Sequence, residues 1–174
     1  MKPIRASIGF SKGAKLIPSG AIRWLDGGDF NHVYWRFDFE TGSLIYESHF
    51  KGGVQITPYE HLLSAKTKGK VLKVEEFDLG LSPRDCTLLW NECIPEHGDG
   101  YNTMQIVRYY FWIRFNKRKD SAKVDKKAKD HFTCNQLVVK TGREIVPEMF
   151  GLDYTFTIKP LYDLAERCYP PLTP

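Results

Sequence analysis

The chain has 174 residues, which suits one domain with its own core and is short for two. Hydrophobic residues make up 42% and aromatic residues 14%, which excludes a disordered, collagen-like or low-complexity protein. The formal net charge of +4 lies entirely within residues 117–130, which excludes a nucleic-acid surface spread over the whole protein.

The first half of the chain is predicted to form mainly β-strands. Strand residues and turn residues alternate there, and Glu40-Thr41-Gly42-Ser43 separates two strands of a hairpin. Thr57 is the expected N-cap of a short helix that reaches about Ser64, with Pro58 as its first residue and Glu60 as the capping-box partner. Strands are expected at 4–10, 32–39, 42–50, 53–57 and 70–79, and a short helix or turn at 16–25.

The second half is predicted to be mainly helical. The segment Ser82-Pro83-Arg84-Asp85 has the composition of a helix start, and Gly142 is expected to end a later helix. Helices are expected from Ser82 to about Glu92, at 102–115, at 133–141 and at 160–168, with a strand at 155–158. The aromatic content of 102–115 also suits a strand, which is the alternative for that segment. Strands that cluster early and helices that cluster late indicate an α+β fold. We expect residues 1–174 to form one domain with a basic, flexible loop at about 116–130.

Neither end of the sequence predicts export or membrane insertion. The N-terminal residues include basic side chains but no apolar run of signal-peptide length. No stretch approaches the roughly 20 apolar residues of a transmembrane helix. We therefore expect a cytoplasmic protein without a transmembrane segment.

The four cysteines are expected to be free thiols, because a chain of this length with a good core needs no disulfide. They are Cys86, Cys93, Cys134 and Cys168. Their spacing, together with His131, lacks the two close pairs typical of zinc sites. The sequence therefore predicts neither a metal nor another cofactor.

Cys134 is the candidate nucleophile. It lies at or directly after the predicted start of helix 133–141. The N–H groups and partial positive charge of a helix N-terminus favour a thiolate, and the same groups can bind an oxyanion. The alternative is that Cys134 is a small buried hydrophobic residue, which is the commoner role of a single cysteine.

His32 is the candidate base. A thiolate nucleophile is normally paired with a histidine that a third polar group orients. Strand alternation places His32 on the polar face of strand 32–39. Glu47 and His49 share a face of the partner strand, so either is a candidate to orient the imidazole.

The register of the hairpin decides between Glu47 and His49. A two-residue loop at Thr41-Gly42 would leave Glu47 roughly 13 Å from His32. A longer loop, with Phe39 and Glu40 at its tip, would bring Glu47 directly opposite His32. Spacing alone leaves both registers open.

These residues resemble the permuted papain-like cysteine hydrolases of the NlpC superfamily, in particular the YiiX/YaeF-like amidase and peptidase group and, more distantly, lecithin:retinol acyltransferase. The order His, Glu, Cys is that of the permuted members. The resemblance spans roughly residues 30–65 and 131–168. The matching segments are Asn31-His32-Val33-Tyr34, Tyr46-Glu47-Ser48 with Gly53-Val54-Gln55-Ile56-Thr57-Pro58-Tyr59-Glu60 after it, and Phe132-Thr133-Cys134-Asn135-Gln136-Leu137-Val138.

The resemblance implies a circularly permuted papain-like fold, with a small antiparallel sheet packed against helices. It also implies a Cys134–His32–Glu47 triad and therefore the longer hairpin loop. Asn135-Gln136 stands where the family usually has Ser-Glu, and we expect Tyr34, Asn135 and Gln136 to lie near the substrate. The implied activity is that of an amidase or peptidase, or of a thioesterase or lipid acyl hydrolase, on a peptide or lipid-like acyl substrate. Acyl transfer to an acceptor other than water is a variant of the same chemistry.

Two alternatives belong to other functional classes. The first is a catalytically silent binding or structural protein on the same fold, for which a triad member should be missing. The second is a nucleic-acid-binding domain that uses the basic residues 117–129. Blocks of like charge more commonly form solvated loops, and this one is also suited to contact an anionic surface.

Overall fold

An antiparallel sheet of five strands organises the part of the chain that the structure describes. The computed structural model describes residues 2–14, 28–49, 52–101, 131–146, 148 and 158–172. The sheet has the strand order β4-β3-β2-β1-β5, which places β2 at its centre. The strands are β1 (Arg5–Gly13), β2 (His32–Phe39), β3 (Gly42–His49), β4 (Gly53–Pro58) and β5 (Val71–Asp78).

The described residues also form four α-helices and a second, very small sheet. The small sheet pairs two-residue strands in parallel, Gly100 with His131 and Tyr101 with Phe132. The helices are α1 (Tyr59–Thr67), α2 (Pro83–Cys93), α3 (Cys134–Gly142) and α4 (Lys159–Cys168). A 3-10 turn, Ile94–Glu96, follows α2, and the strands of the small sheet are β6 (Gly100–Tyr101) and β7 (His131–Phe132). This architecture confirms the expected α+β class.

The large sheet has one apolar and one polar face, because side chains alternate along each strand. Trp35 pairs with Ile8 of β1 and Tyr46 of β3, and all three are fully or almost fully buried. Arg36, the next residue of β2, lies on the opposite face across from Ser7. The main core therefore fills one side of the sheet.

Three helices cover the apolar face. The Trp35 indole donates a hydrogen bond to Thr141 of α3 at 2.8 Å. Trp90 of α2 packs edge-on against Phe37, and Tyr162 of α4 packs edge-on against Phe10. The helix α3, which begins with Cys134, is thereby held directly against the central strand.

A buried ionic network fills the polar face beneath α1. Glu76 of β5 accepts hydrogen bonds from Tyr34, Arg36 and Tyr59 at 2.7, 2.7 and 2.9 Å. Arg36 lies 4.1 Å from the centre of the Tyr59 ring and also donates to Asp38. Because every charge in this network has a partner of opposite sign, its burial is tolerated.

Backbone hydrogen bonds cover part of both sheet edges. Val54 N donates to Asp99 O at 2.7 Å, and Gly98 N donates to Val54 O at 2.9 Å along β4. At the other edge, Leu172 N donates to Glu76 O at 2.8 Å. Such coverage limits edge-to-edge association between molecules.

The hairpin register differs from both expected registers. Phe39 pairs with Gly42, so the loop consists of Glu40 and Thr41 alone. Registers that differ by two residues keep the same side chains on each face, so hydrophobic periodicity cannot choose between them. In the structure, Asp38 lies opposite Ser43 and accepts its hydroxyl hydrogen bond at 2.6 Å. The expectation of a longer loop was therefore wrong.

The predicted cap of α1 was also wrong. Thr57 is still part of β4, where it pairs with Ile45, and Pro58 occupies the N-cap position without a side-chain cap. Sheet pairing delays the helix start by one residue. The predicted start of α2 is confirmed, with Ser82 as its N-cap, and α3 begins at Cys134 with Thr133 as its N-cap, one residue after the expected start.

Several expected elements lie outside the described residues. They are the helix or turn at 16–25, the helix at 102–115, the basic segment 117–129 and residues 155–157 of the strand expected at 155–158, whose last residue, Ile158, is the N-cap of α4. The expected strands 4–10, 32–39, 42–50, 53–57 and 70–79 are confirmed with small shifts at their ends.

Replacing Gly9 with alanine is expected to destabilise the protein by about 2–3 kcal/mol. A Cβ atom at Gly9 would lie 2.2 Å from the Tyr34 ring, which is fully buried and cannot move aside freely. Urea unfolding measures the change in the free energy of unfolding. Gly13→Ala on the same strand is the control, because its Cβ would have ordinary contacts of 3.6 Å or more. Equal stabilities of the two variants would contradict the packing assigned to Tyr34.

Candidate active site

The imidazole of His32 and the carboxylate of Glu47 are in direct contact at one end of the sheet. His32 Nε2 lies 2.6 Å from Glu47 Oε2. Both side chains are mostly buried, with 20% and 15% of their surfaces exposed. A pair this close and this little exposed to solvent forms a strong charge-assisted hydrogen bond when the imidazole is protonated.

The observed register explains how Glu47 reaches His32 without lying opposite it. Counted from the Trp35–Tyr46 pair, the register places Glu47 across from Tyr34, one diagonal step from His32. Diagonal neighbours on one face are about 7–8 Å apart at their backbones, which a glutamate side chain can span. A long loop is therefore unnecessary for this contact.

The capping box at the start of α3 fixes the position of Cys134. Thr133 accepts a hydrogen bond from Gln136 N at 3.4 Å, and Gln136 Oε1 accepts one from Thr133 N at 3.1 Å. Cys134 is the first helical residue and is buried, with 4% of its surface exposed. Its backbone N–H belongs to the first turn, for which an α-helix supplies no acceptor.

Cys134 and Glu47 both favour the protonated form of His32. Burial alone would lower the pKa of the His32 imidazole, but its hydrogen bonds to Cys134 and Glu47 outweigh burial and raise the pKa to about 10. Because Nε2 is engaged by Glu47, Nδ1 is the ring nitrogen left for Cys134. The structure thus brings the three residues together in the order Cys134, His32, Glu47.

Glu47 is held in its ionised form. Burial alone would raise the pKa of its carboxyl group, but the hydrogen bond and charge of His32, followed by the Gln55 amide, lower the pKa to about 2. Gln55 Nε2 donates to Glu47 Oε1 at 3.0 Å. Each carboxylate oxygen therefore has its own partner.

His49, the other candidate for orienting the base, lies beside the pair. Its ring is edge-on to the His32 ring, with 6.3 Å between their centres. The Glu47 carboxylate, and not His49, makes the 2.6 Å contact with Nε2.

The three residues expected near the substrate are all buried. Tyr34 is fully buried, donates its hydroxyl hydrogen bond to Glu76 and lies with its ring centre 6.2 Å from that of His32. Asn135 and Gln136 are 2% and 3% exposed, and the Gln136 side chain takes part in the capping box. The side chains of Tyr34 and Gln136 form their hydrogen bonds with other groups of the protein.

Sequence reasoning did not single out Gln55 or Glu76. Gln55 lies directly opposite Glu47 in the β3–β4 register, and Glu76 collects three hydrogen bonds under the polar face. The available signal for Gln55 was a polar residue within β4, on the strand face that alternates with Val54 and Ile56. The link to Glu76 depends on β5 returning beside β1, which no local pattern reveals.

Two further observations concern the described part of the chain only. No three side chains of His, Cys, Asp or Glu in these residues are grouped so that they could hold a metal ion. None of the helices in the same ranges is long and apolar enough to cross a membrane.

The chain is similar in structure to a known protein although its sequence is distant. No protein-family model matches the sequence, and no curated protein matches it. Among solved structures, it is similar to the metalloprotein YiiX of Escherichia coli O157:H7, a DUF1105 protein. The TM-score is 0.55 at 17% identity, covering 84% of this chain and 68% of that one. At this identity the likeness concerns the fold, and it supports a YiiX-like fold for this chain.

Proposed function

We propose that this protein is a cysteine hydrolase with a permuted papain-like fold, in which Cys134 is the nucleophile, His32 the general acid and base, and Glu47 the residue that orients His32. The proposed substrate is a peptide amide or a lipid-like ester or thioester. The observation that supports the proposal most directly is the 2.6 Å contact between His32 Nε2 and Glu47 Oε2, at an imidazole whose pKa Cys134 also raises.

The first half of the proposed reaction forms a thioester. The Cys134 thiolate attacks the carbonyl carbon of the substrate, and the new oxyanion accepts a hydrogen bond from the Cys134 backbone N–H. Protonated His32 then donates its Nδ1 proton to the leaving amine, alcohol or thiol as the bond to the carbonyl carbon breaks. Glu47 keeps Nε2 protonated and Nδ1 directed at the sulfur.

The second half hydrolyses the thioester. Neutral His32 accepts a proton from a water molecule as that water attacks the carbonyl carbon. The C–S bond then breaks and the carboxylic acid leaves. His32 keeps the proton that it accepted from water, so the site again contains an imidazolium and the Cys134 thiolate. If an alcohol or amine replaces the water, the same steps transfer the acyl group.

Alkylation with iodoacetamide tests the proposal without a known substrate. We expect Cys134 to react rapidly at pH 6–7, because in the proposed mechanism His32 activates it as a nucleophile. The rate at pH 6 should fall at least about tenfold in His32→Ala. Peptide mapping by mass spectrometry assigns the modified residue.

The background for this measurement is Cys168→Ser, since Cys168 is exposed while Cys86 and Cys93 are buried. The Cys168 thiol of the parent protein serves as the internal reference for an ordinary exposed cysteine. If Cys134 reacts only above pH 8.5, or reacts equally with and without His32, the proposed activity is wrong.

A further inference from the structure

We propose that Gln55 is a positioning residue of this site, whose side-chain amide fixes the rotation of the Glu47 carboxylate so that Oε2 faces His32. This inference rests on the proposed function. It adds a fourth residue, from a different strand, to the three that the family resemblance implied.

The geometry assigns one partner to each oxygen of the carboxylate. Gln55 Nε2 donates to Oε1 at 3.0 Å, while Oε2 lies 2.6 Å from His32 Nε2. Gln55 and Glu47 are paired residues of β4 and β3, so the backbone ladder sets the distance between their side chains. The two contacts together leave the carboxylate no free rotation about its terminal bond.

An amide suits this position better than a charged donor would. A lysine or arginine at residue 55 would neutralise the Glu47 carboxylate and compete with His32 for it. The neutral amide of Gln55 supplies a donor for the second oxygen and leaves the negative charge for the imidazolium. Gln55 and His32 therefore both lower the pKa of the Glu47 carboxyl group.

The Gln55 amide occupies space that is open because Gly52 has no side chain. A Cβ atom at Gly52 would lie 2.6 Å from Gln55 Oε1. That oxygen is at the end of a flexible side chain, so it would move rather than the backbone. The turn is closed by Gly52 N donating to His49 O at 3.1 Å, which keeps Gly52 next to the amide.

The test is the pH dependence of Cys134 alkylation by iodoacetamide in the Cys168→Ser background. For Gln55→Met, which keeps the side-chain length but removes the amide, we expect the rate at pH 6 to fall about tenfold, the effect of one hydrogen bond to a charged group. The difference in rate between parent and variant should be smaller at pH 9–10 than at pH 6. A general loss of structure would change the rate at every pH.

Three variants make the result decisive. Thr57→Val, on the same face of β4 and half-buried, should leave the rate unchanged. Gly52→Ala, which keeps Gln55 but displaces its amide, should repeat the effect of Gln55→Met and serves in its place if that variant does not fold. Glu47→Gln should lower the rate at pH 6 by more than either.

The outcomes separate the two proposals. If Glu47→Gln lowers the rate but Gln55→Met and Gly52→Ala do not, the positioning role of Gln55 is wrong and the proposed function stands. If Glu47→Gln also leaves the rate unchanged, the proposed function has failed. If Thr57→Val matches Gln55→Met at every pH, the effect is one of strand structure and the positioning role is again wrong.

Discussion

Under the proposed function, replacing Cys134 with serine is expected to lower acyl transfer at least about 1,000-fold, because an alcohol is a much weaker nucleophile than a thiol paired with a histidine base. The oxygen would occupy the same place at the start of α3, and the capping box formed by Thr133 and Gln136 does not involve the replaced atom. Folding should therefore be unaffected. The probe is p-nitrophenyl acetate, an activated ester with a chromogenic leaving group.

The measurement has two parts. The parent protein should release a burst of p-nitrophenolate equal to one acyl group per active site, and mass spectrometry should find one acetyl group on Cys134 under acid quench. The variant should give neither. Cys168→Ser is the matched control, because that thiol is exposed and lies on α4, away from the capping box. A burst of equal size in Cys134→Ser would contradict the assignment of Cys134 as the nucleophile.

Replacing Trp35 with alanine is expected to destabilise the protein by about 3–5 kcal/mol. Trp35 is fully buried at the centre of the sheet and is one of the largest side chains in the core. The substitution removes its packing against the helices and its hydrogen bond to Thr141. Since a domain of this kind has about 5–15 kcal/mol of stability, much of the total would be lost.

Urea unfolding followed by circular dichroism measures this loss, and Trp35→Phe is the matched control. Phenylalanine keeps much of the buried area but removes the indole N–H, so it should cost about 1–3 kcal/mol. Combining Trp35→Phe with Thr141→Val should cost less than the sum of the two single changes, because both remove the same hydrogen bond. A loss below about 1 kcal/mol for Trp35→Ala would contradict the central position given to this residue.

Elements with strong local signals could be predicted from the sequence, whereas details set by pairing could not. Alternation predicted β2 and β3, and Ser82 and Thr133 predicted the starts of two helices, because caps and strand faces depend on neighbouring residues. The hairpin register and the start of α1 depend on which residues pair across the sheet. Shifts of two positions leave the periodicity unchanged, so the alternation contains no information about them.

The candidate site shows the same division. His32, Glu47 and Cys134 were selected because their residue types and order are typical of one kind of chemistry, and the structure places them in contact. Gln55 carries no such signature, since an isolated glutamine in a strand has no preferred role. Its contact with Glu47 exists because β4 returns antiparallel to β3, which is a property of the tertiary fold.

The small parallel sheet has a consequence for how the start of α3 is held. Asp99 O accepts a hydrogen bond from Val54 N of β4, and the two residues that follow Asp99, Gly100 and Tyr101, pair with His131 and Phe132. The next residue along the chain, Thr133, is the N-cap of α3. Backbone hydrogen bonds therefore connect the edge of the large sheet to the residue that precedes Cys134.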